Sequence, residues 1–124
     1  MGTEEIKIPI ITVRYDNLSG DLIFEDNQGH EGKFITTLVW RNQPVIWKVA
    51  KGEEITIDRI YPKQGSQNVL EGNGPIMEDE GVWRGVVKPD ASGKELYNVD
   101  YTLNGVTFTA DPEMNVKDEG DGED

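Results

Sequence analysis

Residues 95–116, ELYNVDYTLNGVTFTADPEMNV, decide the fold. Tyr97, Val99, Tyr101 and Leu103 alternate with Asn98, Asp100 and Thr102, the period-two pattern that turns one row of side chains to a core and the other to water. Asn104-Gly105 follows directly. An Asn-Gly link between alternating runs predicts a type I′ hairpin, because both central residues must take positive φ. Val106, Phe108 and Ala110 supply the apolar row of the return strand and are expected to face the core like the first row. Asp111-Pro112 stops the ladder, since proline has no amide hydrogen to donate.

Upstream of this hairpin, residues 82–87 read as a strand containing Trp83, followed by turn residues 88–94. Regular periodicity fades over 62–81, which holds four glycines, two prolines and only Val69-Leu70 as a strand fragment. A connection of that length is either functional or conceals an element. Val45, Trp47 and Val49 share one face, Lys51-Gly52 turns, and Ile55 and Ile57 continue, which predicts a second hairpin; Ile60 falls one step out of phase. Residues 34–39 and 22–24 read as strands, with a polar loop 25–32 that carries the single histidine, His30. In 5–15 the isoleucine phase switches around Pro9, which predicts a bulged strand at a sheet edge. No helical period runs over 11 or more residues and no repeat is present, so helix should be near zero. About seven to nine short strands separated by turns indicate an all-β antiparallel sandwich or barrel.

Two features carry a family resemblance. Trp47 lies on a mid-chain strand, and Gly93-Lys94-Glu95-Leu96-Tyr97-Asn98-Val99 is similar to the tyrosine corner that opens a late strand. In these respects the chain resembles immunoglobulin-like and cupredoxin-like sandwiches, although it lacks the disulfide cysteines of the former. Residues 108–116 also resemble the last strand of small bacterial β-sandwich proteins. The resemblance implies a Greek-key β-sandwich and brings no activity with it.

The 124 residues suit one domain, 1–117, followed by an acidic stretch, 118–124, expected to be disordered. The absence of cysteine excludes thiol catalysis, Cys-ligated zinc, iron–sulfur clusters and disulfides. The net charge is −12, of which residues 117–124, with one Lys and five acids, hold −4 and the remainder −8. An acidic surface repels phosphate, so nucleic acid and anionic membranes are not expected partners, whereas a basic protein or a cation is. No apolar run reaches 18 residues, so no membrane-spanning helix is expected. Met1 leads straight into a strand-like segment without a basic and then apolar leader; the cytoplasm is the default expectation, and secretion would need a leader ahead of these residues.

Chemistry is sparse. A blue-copper site needs two His and a Cys, and one His is present with no Cys. His30 with Glu25, Asp26 and Glu31 offers at most a weak surface metal site. A hydroxyl nucleophile needs a base held within hydrogen-bond reach, and the single imidazole, His30, lies in the acidic loop; G-x-S-x-G is absent. Glu71, Glu78, Asp79 and Glu80 could form a hydrolase carboxylate pair, but consecutive exposed acids stay solvated, so an enzyme is not expected. Asp16, Asp21 and Asp26 are candidate calcium ligands in loops that do not match the EF-hand pattern; their alternative role is in Asx turns. No other cofactor is expected. For carbohydrate stacking, Trp47 and Trp83 compete with core roles, and Trp40, beside Arg41, is the one expected at the surface. Gly74-Pro75-Ile76-Met77, followed by Glu78, Asp79 and Glu80, reads either as an apolar pair that tucks the loop down onto the sandwich or as an exposed apolar anchor with an acidic rim. The leading expectation is therefore a non-catalytic module for protein binding or self-association, using the first strand and the 62–81 stretch. A carbohydrate- or calcium-binding module is the alternative.

Overall fold

The computed structural model describes residues 8–72 and 74–117. Residues 5–7 of the first expected strand and the whole stretch 118–124 lie outside them. The described residues contain no helix and eleven strands: β1 (Ile10–Asp16), β2 (Asp21–Asp26), β3 (Glu31–Gly32), β4 (Thr36–Val39), β5 (Pro44–Val49), β6 (Thr56–Pro62), β7 (Ile76–Asp79), β8 (Val82–Val86), β9 (Lys94–Leu103), β10 (Val106–Ala110) and β11 (Glu113–Val116). The first sheet runs β3-β2-β1-β5-β8-β7, and the second runs β10-β9-β11-β4 with β6 added on β9. Val99, Asp100, Tyr101 and Thr102 pair with β6 and with β10 at once, so these two strands flank β9 on opposite sides. The sheets are mixed and not purely antiparallel as expected, because β1 runs parallel to β5 and β4 parallel to β11, and the described strands outnumber the seven to nine expected.

The inner faces meet at an aromatic pair. Trp47 of β5 and Tyr97 of β9 are fully buried, their rings 5.6 Å apart at 78°, and the Trp47 Nε1–H donates to the Tyr97 hydroxyl at 3.1 Å. Around them the alternating rows Ile11 and Val13, Val45 and Trp47, Val99 and Tyr101, and Met114 and Val116 close the core. Tyr97 thus accepts a hydrogen bond from the opposite sheet, and among the described residues its hydroxyl has no backbone partner of the kind a tyrosine corner uses.

Three other expectations are corrected. The first strand is not at an edge: β1 pairs with β2 on one side and β5 on the other. Pro9 lies just ahead of it, where only its carbonyl is needed, accepting from Ile46 N at 2.9 Å. Next to it the Asn27 side chain stands in for a strand, accepting from Ile10 N at 3.1 Å and donating to Ile8 O at 3.0 Å. Nor do β5 and β6 form a hairpin. β5 pairs within the first sheet and β6 with β9 in the second, so the Lys51-Gly52 turn carries the chain across the core. Apolar rows on both arms suit two facing sheets as well as one hairpin, and periodicity cannot tell them apart. Ile60 is out of phase because the β6–β9 register shifts between Ile57 and Arg59, which buries both isoleucines.

The Asn104-Gly105 turn forms as expected, with φ of 53° and 82°, and Leu103 opposite Val106. Most of the return row stays outside the core: Val106 is 53% and Phe108 43% exposed, and only Ala110, at its far end, is half-buried and packs against the core. Phe108 pairs with Tyr101 and stacks on it at 5.5 Å, so the parity is right. Replacing Gly105 by Ala meets no neighbour within 4 Å, yet forces a side chain into positive φ. The expected cost is about 1 kcal/mol, read as a lowered urea midpoint with an unchanged slope.

Candidate functional site

The two lateral seams between the sheets are built differently. At the β2 side, side chains sew the sheets together. Asp26 accepts from Gln28 N and His30 N at 3.0 Å, and from His30 Nδ1 and Thr37 Oγ1 at 2.8 Å. The neighbouring Gln28 amide donates to Leu38 O at 2.7 Å and accepts from Leu38 N at 2.9 Å, which satisfies β4 as a strand would. Burial alone would raise the Asp26 pKa, but the hydrogen bonds from His30, Thr37 and Gln28 outweigh it and hold the carboxyl below its ordinary range. Asp26→Ala strands these donors in a buried site and should cost about 3 kcal/mol by chemical denaturation.

The opposite seam is only partly closed. Residues 66–69 are stitched to β9 and the turn before it: Gln67 Nε2 donates to Ser92 O at 2.7 Å, Leu96 N to Ser66 Oγ at 2.9 Å, and Val69 N to Glu95 Oε1 at 2.8 Å. Leu70 bridges to Val87, is fully buried, and lies so close to Gly85 that a Cβ there would sit 3.0 Å from its Cδ1. Beyond Gly74 this clamp ends and the chain turns into β7.

β7 is the strand that the sequence concealed within 62–81. It pairs with β8 through the Glu80-Gly81 turn, where Gly81 has φ of 74°, and the register shifts between Met77 and Asp79. The signal was a glycine ahead of the Val82 run; four residues are too few for a period. β7 ends the first sheet, with β8 as its single neighbour, and all four of its residues are exposed. Ile76 is 70% and Met77 58% exposed, so neither tucks onto the core.

A cleft lies on each side of β7. On the outer face, a cleft of about 290 Å³ is lined by Glu71, Ile76, Glu78, Arg84 and Val86. Toward the seam, one of about 330 Å³ is lined by Lys48, Glu53, Ile57, Met77, Glu80 and Val82. Each pairs an apolar floor with two carboxylates and one cation. The structure thus brings Ile76, Met77, Glu78, Asp79 and Glu80 together on one edge. Trp40 is half-buried in the turn after β4 and lines neither cleft.

The other candidate residues have local roles. Asp16 accepts from Leu18 N at 3.1 Å and Ser19 Oγ at 3.0 Å, an Asx-type turn that lowers its pKa. Asp21 lies 3.4 Å from Lys33 Nζ. Among the described residues no three His, Asp or Glu side chains are placed to hold a metal ion. Trp83 is buried, with no acceptor for its Nε1–H among the described residues. One group escaped the sequence reading: Glu95, 1% exposed, whose carboxyl is pushed by burial up to about 7 against the opposing pull of Val69 N and Lys88.

No family model matches the chain, and no curated protein matches it with significance. Function has to be argued from the site.

Proposed function

We propose that the chain is a non-catalytic binding module, an immunoglobulin-like or cupredoxin-like β-sandwich that takes a segment of a protein partner onto the free edge of β7. One observation carries this reading: a sheet-end strand whose four residues are all exposed, with Ile76 and Met77 projecting into clefts on its two faces. A free edge offers unpaired backbone N–H and C=O groups in strand spacing, and clefts on either side of it give alternate side chains of an added strand somewhere to go. At the other seam the backbone of Leu38 is already occupied by the Gln28 amide, and the terminal strand β3 has two residues.

Selection of random peptides against the protein, followed by hydrogen exchange, tests this. Selected peptides should slow amide exchange across residues 76–79 and lose binding to Met77→Pro, which removes an edge amide. If the selected peptides protect another surface, or bind Met77→Pro unchanged, the edge is not the site.

A second reading, carbohydrate binding, has a different location from the one expected. Phe34 is 66% exposed at a cleft of about 190 Å³ lined also by Asp21, Tyr101, Thr109 and Asp111, with Phe108 stacked on Tyr101. Aromatic faces beside carboxylates suit pyranose rings better than half-buried Trp40 does. A glycan array with Phe34→Ala as the control tests it; signals equal in the two proteins exclude this cleft.

A further inference from the structure

We infer that the segment bound at β7 is cationic and comes from another protein, running antiparallel to β7 with its basic residues first and its apolar residues after them. This rests on the edge-binding reading above and adds the chemistry of the partner.

Charge sets the class of occupant. β7 and its turn read Ile76-Met77-Glu78-Asp79-Glu80, apolar at one end and triply acidic at the other. The clefts add Glu71 and Glu53, against Arg84 and Lys48. An added strand would lie about 5 Å from these acids, inside the screening length of physiological salt, so its charge matters directly. A second copy of the chain is disfavoured on the same ground. Two β7 strands side by side would bring six carboxylates together on molecules of net charge −12.

Direction follows from the order of residues. β7 already pairs antiparallel with β8, and antiparallel addition is the slightly more stable arrangement. The incoming chain then passes Glu80, Asp79 and Glu78 before Met77 and Ile76. Its leading residues need Lys or Arg, and its trailing residues need Val or Ile to fill the clefts floored by Val86 and by Ile57 with Val82.

The test uses three synthetic peptides on the full chain: Lys-Arg-Lys followed by Val-Ile-Val, the same residues in reverse order, and a version with Glu in place of each cation. The first should bind, should weaken about tenfold as salt rises from about 50 to 500 mM, and should protect amides 76–79. The reversed peptide should bind at least several-fold more weakly. The triple variant E78K/D79K/E80K, which changes exposed side chains alone, should invert the preference and take the Glu peptide. Equal binding of Lys and Glu peptides with protection at β7 would overturn the charge assignment while leaving strand addition standing. No binding by any peptide, on either protein, would sink the edge-binding reading itself. A salt-strengthened dimer of the free chain, with β7 amides protected, would show that the occupant is a second copy.

Discussion

Replacing Trp47 by Ala is expected to cost about 4 kcal/mol, most of the stability of a domain at the low end of the ordinary range of about 5 to 15 kcal/mol. Trp47 is the largest fully buried side chain, and it joins the two sheets by ring contact and by the hydrogen bond to Tyr97. Alanine removes the packing from both layers and leaves a cavity that neighbours on strands cannot refill. Tyr97→Phe isolates the polar part: it orphans the indole N–H in a buried site, and about 1.5 kcal/mol should be lost. Burial also raises the Tyr97 pKa above its ordinary value, so this hydroxyl stays protonated through any practical titration. Trp83→Phe is the internal control. Its Nε1–H has no acceptor among the described residues, so this substitution loses packing alone and no hydrogen bond. Urea denaturation of the three variants checks the ranking; a Tyr97→Phe protein as stable as the parent would mean that the Tyr97 hydrogen bond contributes nothing.

Glu95 should make the protein less stable as pH rises from 5 to 8. Its folded pKa of about 7 lies above its ordinary 4.5, so the folded state holds a proton that the unfolded state has released. The resulting stabilisation is complete below 4.5 and is lost as pH rises through 7, with a total of about 3 kcal/mol. Glu95→Gln keeps an acceptor for Val69 N and cannot ionise. It should therefore match the parent near pH 5 and exceed it by up to about 3 kcal/mol at pH 8. Asp26 acts with the opposite sign, but only at low pH, where its depressed carboxyl is finally protonated. Urea midpoints of both proteins at several pH values decide the matter. Parallel curves for Glu95→Gln and the parent would show that Glu95 does not titrate in this range. The consequence reaches the proposed site, since Glu95 anchors Val69 in the clamp that precedes β7.

Both buried acids were legible in principle. Glu95 continues the row Tyr97, Val99, Tyr101 by one step, and Asp26 continues Leu22, Phe24; each has the parity of its core face. An acid in that phase is either an error of register or a buried group with partners, and here Val69 N in one case and Thr37 with His30 in the other supply the partners. β7 was barely legible. Its four residues carry no alternation that could be recognised, and pairing with β8 defines it.

By itself the sequence determined the all-β character, the Asn104-Gly105 hairpin, the break at Pro112 and most of the buried rows. Those follow from φ requirements, a missing amide hydrogen and a period of two, which act between near neighbours in the chain. Tertiary structure alone decided that β1 is interior, that β5 and β6 belong to different sheets, that most of the β10 row stays exposed, and that β7 is a sheet-end strand. Each of these depends on which strand lies alongside or opposite, and a row of alternating side chains presents the same pattern to any sheet that can bury it.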